Sequence, residues 1–158
     1  MLHLTISAAA GKRHVAFLRR HLRRAHQIAR SPLRELSLAL VGDRHMSQLH
    51  AQFMDVEGPT DVLTFPLEFD ARKRPCAGEV VVCVPEARRI AKEMEIPIER
   101  ELLLYALHGL LHLSGFDDRT PREYNRMHRM EDTILRRLGV GATFARESAP
   151  SRRGGRRQ

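Results

Sequence analysis

Between Leu102 and Leu113 the chain is apolar save for Tyr105 and two histidines, His108 and His112, four residues apart. On a helix that spacing sets both imidazoles on one face, one turn apart, within reach of a single ion. Gly115 is suited to ending the helix in a left-handed conformation, and the chain then turns back through Phe116 and Asp117 to Asp118. The turn can deliver a third, oxygen ligand to the same ion. Two histidines and one carboxylate with an open fourth position make the donor set of a catalytic zinc site, whereas structural zinc normally takes four protein ligands, often cysteines. The predicted centre is therefore one Zn2+ ion held by His108, His112 and Asp118, although the same set also suits Fe(II). On spacing alone the histidines serve as well as core residues bonded to backbone, with Asp118 capping the next helix. Nine histidines in 158 residues make a chance pair at this spacing common.

A cation at this place would lower the pKa of a coordinated water toward about 7 and polarise an attacked carbonyl or phosphoryl oxygen, so hydrolysis is the expected chemistry. No protein side chain is assigned as general base, and Asp117 is read as fixing the turn. Metallopeptidases with histidines at this spacing carry a glutamate after the first one. Here that residue is Gly109, so a peptidase would lack its base.

The elements that must position this helix are legible from periodicity. MLHLTIS alternates as a half-buried strand, and from Gly11 to Arg30 the residues Val15, Leu18, Leu22, Ala25 and Ala29 recur at helical spacing. Arg19, Arg20, Arg23 and Arg24 lie outside that stripe and form a basic outer face. Leu36, Leu38 and Leu40 mark a second strand ending at Gly42, after which Asp43 is expected to cap a helix burying Met46, Leu49 and Phe53. The turn Glu57-Gly58-Pro59 leads into a third strand, TDVLTFP, and ARKRPCAG reads as a polar, basic loop. EVVVCV has the continuous β-branched pattern of a strand covered on both faces. Pro85 opens a helix carrying Ala87, Ile90, Ala91 and Met94, and Pro97 opens the histidine helix, whose lack of a polar face sends it through the middle of the domain. Thr120, Pro121 and Glu123 form a capping-box start for a last helix with Met127, Ile134 and Leu138 inside and Gly139 at its end. The expected fold class is α/β (α+β): a single mixed sheet of about four strands, with helices packed around a central metal-bearing helix, zincin-like in form.

Size and composition fit one hydrolase domain over residues 1–140 and a basic, disordered tail over 141–158. The last fourteen residues hold five arginines and one glutamate among Gly, Ser and Pro, too little apolar surface to offset the entropy of ordering them. A formal charge of +8 favours a polyanionic partner, because each cation near a phosphate gains Coulomb energy and releases counterions. No apolar run approaches the roughly 18–20 residues that span a bilayer, and the N-terminus lacks signal-peptide character, so no membrane association and a cytoplasmic location are expected. Cys76 and Cys83 are too few for a disulfide framework and are read as free thiols, the first in a loop and the second in a strand.

Three ordered stretches carry a family resemblance. HGLLHLSGFDD (108–118) resembles the signature H-G-x-L-H-L-x-G-Y-D-H of the YbeY family of metal-dependent endoribonucleases. GPTDVLTFP (58–66) is similar to the family's P-T-D/N-V-L-S-F-P, and GEVVVCVPEA (78–87) to its G-D-I-V-I-C segment. The resemblance runs from Leu36 to Leu138 and implies an α/β fold with a zinc-bearing central helix. It also implies single-strand RNA cleavage, maturation of the 3′ end of small-subunit (16S) ribosomal RNA, and ribosome quality control. The implied partners are ribosomal RNA and the small ribosomal subunit, with no small-molecule cofactor.

His108 and His112 match the family's first two metal ligands, and Asp118 falls where the family usually has a third histidine. A carboxylate still ligates zinc but lowers the charge of the site by one unit, making the ion a weaker Lewis acid. The family also carries an arginine important for cleavage in an L-N-x-x-Y/F-R segment, aligned here with Leu49-His50-Ala51-Gln52-Phe53-Met54. Met54 replaces that arginine, and a thioether cannot stabilise charge on a phosphate. Arg72, Lys73 or Arg74 of the basic loop could substitute. Two alternatives to an RNA hydrolase stay open: a nuclease-impaired, zinc-stabilised ribosome-assembly factor, and a small metallopeptidase.

Overall fold

A computed structural model describes residues 1–54 and 61–140. The turn Glu57-Gly58-Pro59 and the basic tail lie outside the described residues. The order is β1 (His3–Ala8), a short 3-10 turn (Lys12–His14), α1 (Val15–Ala29), β2 (Glu35–Val41), α2 (Asp43–Met54), β3 (Val62–Phe69) and β4 (Pro75–Cys83), followed by α3 (Val84–Met94), α4 (Ile98–Leu113) and α5 (Pro121–Arg137). The four strands form one mixed sheet in the order β1-β2-β4-β3, in which β1, β2 and β4 are parallel and β3 is antiparallel to β4. Among the described residues no helix is long and apolar enough to cross a membrane.

The β-branched run of β4 takes an inner position because both of its faces are covered. Val80 and Val82 belong to the main core with α1, α4 and α5, while Val81 and Cys83 pack with Val41, Met46 and Leu63 beneath α2. Helix α4 lies on β4 at a separation that two glycines permit. A Cβ on Gly109 would stand 2.6 Å from Val80 Cγ2, and one on Gly78 would stand 2.6 Å from Leu113 Cδ1. From Glu101 to Leu111 every residue of α4 is buried, as its missing polar face predicts.

Strand β4 starts at Pro75, so the expected loop ARKRPCAG shrinks to the tight turn that joins β3 to β4. The small residues Ala77 and Gly78 look loop-like in sequence, yet they pair with Glu35 and Leu36 on one side and with β3 on the other. Cys76 accordingly sits on a strand, buried like Cys83, and both are free thiols. Phe53, expected inside α2, is 56% exposed. Helix α2 buries Met46 and half-buries Leu49, while in its last turn Phe53 packs edge-on against Phe65 of β3 and leaves much of its ring to solvent. Asp43 is the first residue of α2, and its carboxylate accepts hydrogen bonds from Arg89 Nη1 and Nη2 at 3.1 and 3.0 Å, which ties α2 to α3. Those bonds hold the Asp43 carboxyl below its usual range. Burial, reinforced by Asp43, pushes the Cys83 thiol up to about 12.

Two arginines of α1 have a structural task. Arg19 Nη1 donates to the Leu4 carbonyl at 3.1 Å, and Arg23 Nη1 to the Leu2 carbonyl at 3.2 Å, covering part of the exposed edge of β1.

Candidate metal centre

Pro97 is the N-cap of α4, with Glu99 and Glu101 in its first turn where carboxylates suit the helix dipole. At the other end the amides of Ser114 and Phe116 bond back to the carbonyls of Leu110 and Leu111, and Gly115 adopts φ +107°. That conformation favours glycine and reverses the chain within a few residues. Helix α5 is capped by Thr120, whose side chain accepts from the Glu123 amide while Glu123 accepts from the Thr120 amide, both at 3.1 Å. Asp118 is therefore not the cap of α5, and its carboxylate faces the histidines.

His108 is buried, and its Nδ1 lies 2.9 Å from Oε2 of Glu131, itself only 1% exposed. With Glu131 accepting the Nδ1 proton, Nε2 keeps its lone pair, and that atom lies 3.7 Å from Asp118 Oδ2. His112 is exposed one turn later, with its ring 6.5 Å from that of His108 and inclined by 16°. His112, Asp117 and Asp118 each offer a ligand atom within 4.8 Å of the other two. Asp118 thus stands close to both predicted histidines and joins them into one group. A tetrahedral site with bonds of about 2.05 Å has edges of about 3.3 Å, so modest side-chain rotations bring these donors to one cation. Two imidazoles and a carboxylate, with one side facing solvent, fit a divalent ion that retains an open position.

Three contributors were not assigned from the sequence. Asp117 keeps its predicted turn role, accepting from the Asp118 amide at 2.8 Å, but also stands among the metal-competent donors. Arg119 pairs with Asp117 at 3.3 Å and brings an 84% exposed guanidinium beside the group. Glu131 orients His108, and it left a signal in the sequence: it interrupts the apolar stripe of Met127, Ile134 and Leu138 with a carboxylate at a core position. A charge placed there requires a buried partner.

Of the cations considered in place of Met54, Arg74 has its side chain engaged within its own turn. Met54 ends α2, and Arg74 Nε is paired with Asp70 at 3.0 Å inside the β3–β4 turn. The amides of Arg74 and Arg72 also bond to Asp70, and together these contacts hold its carboxyl below the usual range. Gly109 faces β4, and the space it leaves is filled by Val80, so this position has no room for the glutamate of a metallopeptidase.

A family model described as endoribonuclease YbeY matches residues 6–139. Curated relatives with the same description include one from Anaeromyxobacter sp. (strain Fw109-5), 37% identical over 118 residues that cover 75% of this chain and 62% of that protein. Another, from Frankia casuarinae, is 40% identical over 115 residues covering 66% and 57%. The match thus spans about three fifths of the length of these relatives. The solution structure of TM1509 from Thermotoga maritima is similar in fold, with a TM-score of 0.59 and 25% identity over 97% of this chain and 100% of that one.

Proposed function

The chain belongs to the YbeY family, and from that premise we propose that it is a metal-dependent endoribonuclease that cleaves single-stranded RNA. The observation that supports the proposal is that Asp118, just past the end of α4, stands 3.7 Å from His108 Nε2 and groups with His112 and Asp117, while the buried Glu131 orients His108. We assign these three residues as ligands of one zinc ion within a zincin-like catalytic domain over residues 1–140. Maturation of the 3′ end of small-subunit ribosomal RNA, ribosome quality control and a cytoplasmic location belong to the same proposal. The partners are ribosomal RNA and the small subunit.

When bound, zinc would supply Lewis-acid polarisation of a phosphoryl oxygen and would ease deprotonation of water near neutral pH. Glu131 fixes the ring of His108, which would present its Nε2 to a bound ion without rotational search. Asp118 contributes a negative donor where the relatives' signature has an imidazole, which moderates the charge of the site. Arg119, exposed and anchored by Asp117, is positioned to contact a phosphate with its remaining N–H groups. That role is one the aligned Met54 cannot fill.

RNA cleavage and metal content of wild type and His112→Ala test the proposal together. The variant should lose bound zinc and cleavage in parallel, and equal cleavage after complete metal removal would refute the mechanism. Met54 favours a second reading, a zinc-stabilised ribosome-assembly factor with impaired cleavage. Ribosome co-sedimentation without detectable cleavage, with activity gained in Met54→Arg, would select it; robust cleavage by wild type would exclude it.

A further inference from the structure

Along the exposed side of α1 and the free edge of β1 runs a groove of about 650 Å³ whose lining carries Lys12, Arg13, Arg19, Arg20 and Arg23 and no carboxylate. Its floor is apolar, made by Ile6, Ala8, Val15 and Ala16. A second depression, of about 510 Å³, shares Arg23 and continues past His26 and Arg30 to Ser31. There the Ser31 hydroxyl lies 2.6 Å from that of Ser114, the C-cap of α4, two residues beyond His112. The cations therefore follow one line, from the start of α1 to the helix end that bears the candidate metal ligands. Fifteen residues of α1 at 1.5 Å each give this line a length of about 22 Å.

We propose that this line is a track for the backbone of single-stranded RNA, guiding the strand toward the metal centre. The proposal rests on the endoribonuclease reading above and adds to it a binding surface outside the metal group. Arg19 and Arg23 are pre-positioned by their bonds to the Leu4 and Leu2 carbonyls. Each guanidinium has five N–H donors and uses one in these bonds, leaving the others for phosphate oxygens at little cost in side-chain entropy. Lys12, Arg13 and Arg20 are exposed and add charge on the same line. The apolar floor offers base and ribose faces a surface that needs no particular sequence, in keeping with backbone recognition. Edge protection of β1 accounts for Arg19 and Arg23 alone, whereas the other three cations carry no such task.

The full chain, with chelator present so that nothing is cleaved, is titrated with a fluorescein-labelled oligouridylate and followed by anisotropy over a range of salt concentrations. Each phosphate contact contributes about −0.7 to the slope of log K against log salt for a single strand. The triple variant Lys12→Gln/Arg13→Gln/Arg20→Gln should bind about tenfold or more weakly, with the slope reduced by about 2. The single variant Arg20→Glu should shift in the same direction. A control of equal charge, Arg44→Gln/Arg88→Gln/Lys92→Gln on the exposed sides of α2 and α3, should retain wild-type slope. Unchanged binding in the track triple, or equal losses in both triples, would overturn the track. Binding to phosphatidylserine vesicles without binding to RNA would overturn it as well. Metal-dependent cleavage is measured separately: a wild type that binds along the track but cleaves nothing would refute the endoribonuclease reading and leave the track standing.

Discussion

Substituting Gly109 by alanine tests whether the contact of α4 with β4 sets the position of the helix that carries the proposed metal ligands. The added Cβ would meet Val80 Cγ2 at 2.6 Å and Cγ1 at 2.7 Å. Carbon contacts are comfortable from about 3.5 Å, so α4 must retreat by about 0.9 Å or Val80 must move. Overpacking of this kind costs about 1–3 kcal/mol, and replacing glycine in a helix interior returns about 1 kcal/mol, for a net loss of about 0–2 kcal/mol. Val80→Ala alone removes two buried methyl groups at about 0.8 kcal/mol each and leaves a small cavity, a loss of about 2–3 kcal/mol. In the double variant the new methyl occupies the vacated space. Its destabilisation should then fall short of the sum of the singles by about 1–3 kcal/mol. Urea unfolding of the four proteins measures this coupling, and chelator competition measures zinc affinity alongside. A helix shift of about 0.9 Å exceeds the roughly 0.5 Å tolerance of a metal site, so Gly109→Ala should bind zinc more weakly and Val80→Ala should rescue it. Unfolding energies that add within about 0.5 kcal/mol, with zinc affinity unchanged, would refute the reasoning.

Glu131→Gln should keep the fold but weaken zinc binding about 10–100-fold, because His108 loses the carboxylate that orients it; isothermal titration reads the change. Two carboxylates should affect the pH dependence of stability in opposite senses. Hydrogen bonds from Arg89 lower the Asp43 pKa, so its stabilisation is present above the unfolded value of about 3.9 and fades as pH falls through the folded one. Burial raises the Asp132 pKa, so its charge is a penalty that appears as pH climbs toward and past the folded value. Thermal melts should show Asp43→Asn below wild type and Asp132→Asn above it at neutral pH, both converging on wild type in strong acid. The opposite order at neutral pH would contradict these assignments. Cys83, with its thiol pushed up to about 12, should resist iodoacetamide at pH 8 until the chain is denatured. Labelling of the folded chain at the rate of an ordinary thiol would count against its burial.

The elements with a clear period were legible. The buried run of β4, the stripe of α1, the apolar helix α4 and the capping box of α5 occur where pattern and caps indicate. Local composition misleads where tertiary packing decides. Ala77 and Gly78 read as loop because they are small, yet at Gly78 the missing side chain is what lets Leu113 approach the strand. Phe53 follows the helical stripe of α2, but it meets the sheet only edge-on at Phe65, 5.1 Å between ring centroids, and stays 56% exposed. Within the candidate centre, the spacing of His108 and His112 and the break at Gly115 were readable because they are local in sequence. The support from Glu131 joins residues 23 positions apart, and only the packing of α5 against α4 pairs them. Arg19 and Arg23 look like a solvated basic face until the edge of β1 is seen beneath them.

The most direct test of the account is a titration of metal-stripped protein with zinc while cleavage of a single-stranded RNA is followed, for wild type and Asp118→Ala. Wild type should be inactive without metal and should gain activity up to a break at one equivalent of zinc per chain, and Asp118→Ala should need a large excess. Cleavage that is indifferent to zinc, or a wild-type titration with no break at one equivalent, would contradict a single catalytic ion held by His108, His112 and Asp118.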